Sequence, residues 1–77
     1  MQIFVKTYAG KTIVITIEPY DTVRDLKSRI LAMEGIPIEQ QRLVFAYRQL
    51  EDDMTLVHYN IRNESFVHMI IALGDHK

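Results

Sequence analysis

The sequence predicts an α+β domain in which a mixed β-sheet packs on one long helix. Three observations lead to this prediction: two runs of alternating apolar and other residues near the N-terminus, one stretch of helical periodicity after them, and further strand-like runs in the second half. Because strands stand both before and after a single helix, we expect them to form one sheet that the helix crosses, with the core between the two layers.

Two antiparallel strands are expected at the N-terminus. Ile3 and Val5 alternate with other residues in the first run, residues 2–7, and a second alternating run covers residues 12–17. The link over residues 8–11 contains Gly10, which can adopt a positive φ, so it is typical of a hairpin loop.

A helix is predicted over residues 23–34. Thr22 followed three residues later by Asp25 resembles a capping box, and Gly35 stands where a glycine commonly ends a helix. Spacings of three and four residues place the apolar side chains on one stripe, which consists of Val23, Leu26, Ile30 and Met33.

The second half of the sequence predicts short strands and one helical turn. Pro37 prevents further helix, residues 41–45 form a third strand, residues 46–47 turn it, and residues 48–50 are a short extended piece. Residues 55–59 form one helical turn capped by Thr55, and residues 65–73 form the last strand.

The composition limits which classes of function are possible. A chain of 77 residues with a formal net charge of -1 is one small domain, and its charge favours neither nucleic acid nor an anionic membrane as a partner. The absence of cysteine excludes disulfides and thiolate chemistry. The N-terminus shows no targeting segment, so we expect a monomeric cytoplasmic and nuclear protein.

Nothing in the sequence predicts an enzyme, a metal site or a cofactor. His58, His68 and His76 lack the spacing of metal ligands, and the acidic residues 51–53 lack the glycine and alternating oxygen ligands of a calcium loop. The serines have no nucleophile-elbow context, and the glycines are too scattered to cradle a phosphate.

Several runs carry a family resemblance: Met-Gln-Ile-Phe-Val-Lys-Thr at residues 1–7, Glu-Gly-Ile-Pro at 34–37, Gln-Gln-Arg-Leu-Val-Phe-Ala at 40–46, Gln-Leu-Glu-Asp at 49–52, Thr-Leu at 55–56 and Tyr-Asn-Ile at 59–61. They resemble the ubiquitin family, and ubiquitin in particular, in register as far as Leu73. The resemblance implies the β-grasp fold and a ubiquitin-like domain over residues 1–73. The core positions of that fold fall on apolar residues here, so the predicted core consists of Ile3, Val5, Ile13, Ile15, Ile17, Val23, Leu26, Ile30, Leu43, Leu50, Leu56, Ile61, Val67 and Met69. Residues 74–77 are then expected to form an altered, flexible C-terminal tail.

The resemblance also implies a protein-binding patch. In ubiquitin, the positions of Tyr8, Val44, His68 and Ile70 form the main docking site for ubiquitin-binding domains and deubiquitinases. All but His68 differ from ubiquitin, but they remain apolar or aromatic, which suits an interaction site. The expected extension of this patch consists of Arg42, Tyr47, Arg48 and Phe66. The alternative is that Val44 and Ile70 are simply good strand formers.

Conjugation is expected to be impaired. Conjugated relatives end in Arg-Gly-Gly, whereas Asp75 and His76 carry side chains here. Ala72 replaces an arginine that the ubiquitin-activating enzyme recognises, a change shared with the Rub-type modifier. The lysines at matching ubiquitin-type linkage positions are Lys6, Lys11 and Lys27.

Three hypotheses follow. The chain is a non-enzymatic, non-conjugatable module that engages ubiquitin-recognising proteins such as deubiquitinases, or a redesigned ubiquitin scaffold without a native task, or a natural ubiquitin-like domain or modifier. Conservative core exchanges favour the redesign, whereas retained exposed residues such as Gln2 and Gln49 argue against complete resequencing.

Overall fold

The computed structural model describes residues 1–72. The strands are β1 (Gln2–Lys6), β2 (Thr12–Thr16), β3 (Gln41–Phe45), β4 (Arg48–Gln49) and β5 (Phe66–Ile71), the helix is α1 (Val23–Glu34), and 3-10 turns cover Ile38–Gln40 and Val57–Tyr59. Leu73 and the predicted tail over residues 74–77 lie outside the described residues.

The strands form one mixed sheet in the order β2, β1, β5, β3, β4. β1 pairs antiparallel with β2 and parallel with β5, while β5 pairs antiparallel with β3 and β3 with β4. Helix α1 packs on this sheet and is the one α-helix within residues 1–72, so the predicted α+β arrangement is confirmed.

Helix α1 has the predicted bounds and caps. The Asp25 N–H donates to Thr22 Oγ1 at 3.1 Å, and the Thr22 N–H donates to Asp25 Oδ2 at 2.9 Å, which completes the capping box. Gly35 ends the helix in the left-handed region with a φ of 74°.

The predicted apolar stripe is wrong at Met33, which is 52 % exposed, and Lys27 is buried instead. With about 3.6 residues per turn, the centre of the buried face of α1 consists of Val23, Lys27 and Ile30, and Met33 lies at the edge of that face. The predicted core set did not include Met33, so the stripe extended one residue beyond the buried part of the helix face.

The core matches the predicted set of apolar residues, and every member is at most 5 % exposed. Alternation explains this agreement in the strands, because the buried positions of β1, β2 and β5 are every second residue.

The boundaries of two elements differ slightly from the prediction. Thr55 Oγ1 accepts from the His58 N–H, but the 3-10 turn begins at Val57, and the last strand begins at Phe66. The 3-10 turn Ile38–Gln40 was not predicted.

Candidate protein-binding surface

The pairing of β3 with β5 brings the central residues of the predicted patch together. Val44 lies opposite His68, and Arg42 lies opposite Ile70, on the face of the sheet that points away from the core. Ile70 is 52 % exposed and Val44 is half-buried. These two aliphatic side chains therefore flank an exposed imidazole on a rigid sheet.

Tyr47 and Phe66 extend this surface in the predicted direction. The two-residue turn between β3 and β4 has positive φ at both residues, 54° at Ala46 and 65° at Tyr47, as in a type I′ hairpin turn. The turn holds the Tyr47 side chain entirely in solvent. A shallow cavity of about 490 Å³ opens beside it and is lined by Val44, Phe45, Ala46, Tyr47, Phe66 and His68.

The two arginines of the predicted extension point to different faces. The Arg42 guanidinium donates to Gln49 Oε1 at 3.2 Å, and the Cα partner of Gln49 is Val44, on the solvent face. Arg48 is the Cα partner of the partly buried Phe45, and its guanidinium carbon lies 5.3 Å from the centroid of the Tyr59 ring. Arg48 thus belongs to the opposite side of the hairpin from Val44.

Tyr8 occupies a different edge of the surface from Tyr47. It is 63 % exposed in the loop between β1 and β2. A second shallow cavity, of about 480 Å³, is lined by Tyr8, Glu34, Gly35, Ile36, Pro37, Gln40 and Ile71. Tyr8 therefore lies beside Ile36 and Ile71, and it does not line the cavity at Tyr47.

Phe4 and Val14 belong to the same surface and were missed from the sequence. Phe4 pairs with Phe66 in β5 and with Val14 in β2. The Phe4 and Phe66 ring centroids are 5.4 Å apart, and the Phe66 and His68 centroids are 6.3 Å apart. The residues of this "outer face" are Phe4, Val14, Val44, Phe66, His68 and Ile70. Alternation in β1 and β2 directs Phe4 and Val14 outward, but only the parallel pairing of β1 with β5 shows that they are continuous with Phe66.

The lysines at the linkage positions differ in access. Lys6 is exposed, and its Cα partner on β5 is His68. The Lys11 side chain is 63 % exposed, although its Nζ lies 3.1 Å from Glu34 Oε2. Lys27 is only 7 % exposed, and its Nζ lies 2.6 Å from Asp52 Oδ1. The Lys27 amine is therefore held inside the fold.

The helix cap contains a carboxyl group with a lowered pKa, that of Asp25. The Thr22 N–H and then its hydroxyl hydrogen-bond the Asp25 carboxylate and lower its pKa, and the Arg29 charge adds to this effect. No group of three or more His, Asp or Glu side chains within residues 1–72 is placed to hold a metal ion. Over the same residues, the helices are too short or too polar to cross a membrane.

Comparison with known proteins extends these observations. The family model described as Ubiquitin family matches residues 3–74. The chain belongs to the ubiquitin family. Its mixed sheet and single helix are accordingly the ubiquitin-like β-grasp fold, as the resemblance implied. Within the family, the comparisons do not single out ubiquitin itself.

Several relatives are NEDD8-like. The NEDD8-like protein RUB3 of Arabidopsis thaliana is 47 % identical over 95 % of this chain and 94 % of that protein. The ubiquitin-like protein NEDD8 of Dictyostelium discoideum is 44 % identical over 95 % of both chains. The AN1-type zinc finger protein 4 of Mus musculus is 34 % identical over 95 % of this chain but over only 10 % of its own length. Similar sequences therefore occur both as small proteins and as parts of long ones.

Proposed function

We propose that this ubiquitin-family chain is a non-enzymatic protein-binding module whose outer face docks on ubiquitin-binding domains and deubiquitinases. The observation that carries the proposal is the continuity of apolar and aromatic side chains across four strands, from Val14 through Phe4 and Phe66 to Val44. Such a surface gains free energy when a partner removes it from water.

The aromatic residues give this surface its anchors. Phe66 is 47 % exposed and borders the cavity beside the fully exposed Tyr47. Aromatic side chains dominate binding energy where a partner surrounds them completely, and a cavity of this kind accepts one apolar side chain from the partner. Because these side chains lie on strands that are hydrogen-bonded in one five-stranded sheet, little ordering of the backbone opposes binding.

A titration followed by NMR tests the proposal. Isotope-labelled protein is titrated first with a ubiquitin-binding domain and then with the catalytic core of a deubiquitinase. We expect shifts centred on Val44, Phe66, His68 and Ile70, with Ile70→Ala weakening binding by about tenfold.

Leu31→Ala is the matched control, because Leu31 is an exposed aliphatic residue, 41 % accessible, on α1. It should leave the affinity unchanged. Saturable binding that Ile70→Ala leaves intact, or spectra that do not change with either partner, would refute docking through the outer face.

A second candidate function is that of a natural NEDD8-type modifier. The match to this chain covers more than nine-tenths of the length of RUB3 and of NEDD8, which supports this function. Ala72 also supports it, because the Rub-type modifier has the same residue at this position. The obstacle is the sequence Gly74-Asp75-His76, because conjugation in this family uses a terminal glycine carboxylate and a slim diglycine.

Charging by activating enzymes tests this second function. The native chain and a variant with Gly74→Arg, Asp75→Gly and His76→Gly that ends at residue 76 are each incubated with ATP and either the NEDD8- or the ubiquitin-activating enzyme. A thioester with the NEDD8 enzyme on the variant alone would mean that residues 1–73 are competent and that the tail prevents charging. If the variant forms a thioester with neither enzyme, the modifier hypothesis is refuted.

A further inference from the structure

Strand β2 forms one edge of the sheet, and half of its backbone groups face away from β1. The Thr7 N–H donates to the Lys11 carbonyl at 2.8 Å, and the Ile17 N–H donates to the Met1 carbonyl at 2.9 Å. In an antiparallel pair, the residues that bond to the partner strand alternate. The odd-numbered residues of β2 therefore bond to β1, and the N–H and C=O groups of Thr12, Val14 and Thr16 point to the open edge.

The sequence of this edge is palindromic. Residues 12–16 read Thr-Ile-Val-Ile-Thr in both directions, and Val14 is at the centre. A two-fold axis perpendicular to the sheet and midway between the two strands would place Val14 opposite the partner's Val14 and Thr12 opposite the partner's Thr16. These are the residues whose backbone groups point outward, so this register makes about six hydrogen bonds.

We propose that two copies of this chain associate through antiparallel pairing of their β2 strands, which joins their sheets into one. The side chains agree with this register. Ile13 and Ile15 of both copies stay on the core side, where they are 5 % and 2 % exposed, and the half-exposed Val14 meets its symmetry mate on the other side.

The edge has few of the features that prevent such pairing. Natural edge strands are usually protected by charged side chains, proline or a bulge, and residues 12–17 contain neither a charge nor a proline. One protecting contact is present at the end of the strand: the Arg29 guanidinium donates to the Thr16 carbonyl, and it lies 4.0 Å from Asp21. Arg29 thus competes with the partner for one carbonyl at each end of the interface.

The dimer is expected to be weak. A pair of edge strands buries less than the roughly 1,000 Å² that a stable interface needs. We therefore expect a Kd of about 0.1–1 mM, so that the monomer expected from the sequence predominates at low micromolar concentration.

Sedimentation velocity from about 10 µM to about 1 mM measures the association. Val14→Lys places two like charges opposite each other at the two-fold axis and should weaken the association at least about tenfold. Val57→Lys is the matched control, because Val57 is 42 % exposed and lies on a 3-10 turn outside β2, and it should change nothing. Arg29→Ala should strengthen the association, since it frees the Thr16 carbonyl.

Amide hydrogen exchange locates the interface in the wild-type protein. The amides of Thr12, Val14 and Thr16 should exchange more slowly as concentration rises, whereas those of Ile13 and Ile15 should not respond. A protein that stays monomeric at about 1 mM would overturn the proposal. Association without slower exchange at the three edge amides would also overturn it, because the contact would then lie elsewhere, such as on the outer face.

Discussion

At the scale of single residues, the partly buried pair of Lys27 and Asp52 is the ion pair whose loss should cost most. The Lys27 side chain is 9 % exposed and the Asp52 side chain is 32 % exposed, so one charge depends on the other for solvation. We expect Asp52→Asn to lower the free energy of unfolding by about 2 kcal/mol, less than for a fully buried pair. Denaturant unfolding at neutral pH measures this.

Arg24→Ala serves as the comparison for that experiment. Arg24 also contacts Asp52, at 3.3 Å, but its side chain is 60 % exposed, so its removal should cost less than about 1 kcal/mol. Equal losses for the two variants would mean that burial of Lys27 does not govern the strength of this contact.

The capping carboxylate predicts the acid response of the fold. Hydrogen bonds from Thr22 lower the pKa of Asp25 in the folded protein, so folding favours the ionised carboxylate. The resulting stabilisation is complete above the pKa of an unfolded aspartate and is lost as pH falls through the lowered pKa. We expect Asp25→Asn to reduce the slope of unfolding free energy against pH at pH values below the pKa of an unfolded aspartate, measured by urea unfolding.

The matched control is Asp53→Asn, which removes the same charge from an exposed residue. It should keep the wild-type slope. If both variants flatten the slope equally, the acid response reflects overall charge and not the capping box.

Burial of polar residues marks the limit of sequence reasoning at this scale. Most of the aliphatic core followed from periodicity, because its members share one face of a strand or of α1. The buried residues outside these elements were expected from the family resemblance, and they are Ile17, Leu50, Leu56 and Ile61. Gln41 is 2 % exposed, and its Nε2 donates to the carbonyls of Lys27 and Ile36 at 3.0 and 2.9 Å. Burial of Gln41 and Lys27 depends on partners in other elements, and the local pattern does not contain that information.

At the scale of elements, the turn between β3 and β4 links stability and binding. Tyr47 has a φ of 65° and no burial, so its conformation is unfavourable and its ring contributes nothing to the core. We expect Tyr47→Gly to raise the free energy of unfolding by about 0.5–1 kcal/mol while weakening partner binding through the outer face. Thermal unfolding and the NMR titration measure the two effects.

Ala46→Gly separates these effects, because Ala46 also has a positive φ but lacks an aromatic ring. It should stabilise the protein to a similar extent and leave binding unchanged. A loss of affinity in Ala46→Gly equal to that in Tyr47→Gly would assign the effect to turn geometry and not to the ring.

Elements whose ends are marked by nearby residues could be predicted from the sequence, but the residues that lie beside them in space could not. The bounds of α1 followed from Thr22, Asp25 and Gly35, which act within one turn of the helix ends. The position of Tyr8 beside Ile36 and Ile71 depends on how the first hairpin meets the end of α1. A loop residue carries no periodicity that would indicate such a neighbour, so the sequence did not show that Tyr8 lies beside Ile36 and Ile71.

At the scale of the whole molecule, β1 and β5 organise both sides of the sheet. They are adjacent and parallel although they come from opposite ends of the chain, and β5 also pairs with β3. Their inward residues complete the core, while their outward residues Phe4, Phe66, His68 and Ile70 form most of the outer face. Stability and binding therefore depend on alternate residues of the same strands, so each can change with little effect on the other.

A pair of identical substitutions tests this division. Val67→Ala on β5 deletes two methyl groups from a fully buried side chain, and we expect a loss of about 2–3 kcal/mol because a cavity remains. Val14→Ala on β2 makes the same change where the side chain is 46 % exposed, and about 0.5–1 kcal/mol should be lost through strand propensity. Guanidinium unfolding at low micromolar concentration, where edge pairing is negligible, measures both. Comparable losses would contradict a core confined to the helix side of the sheet, because Val14 would then pack as tightly as Val67.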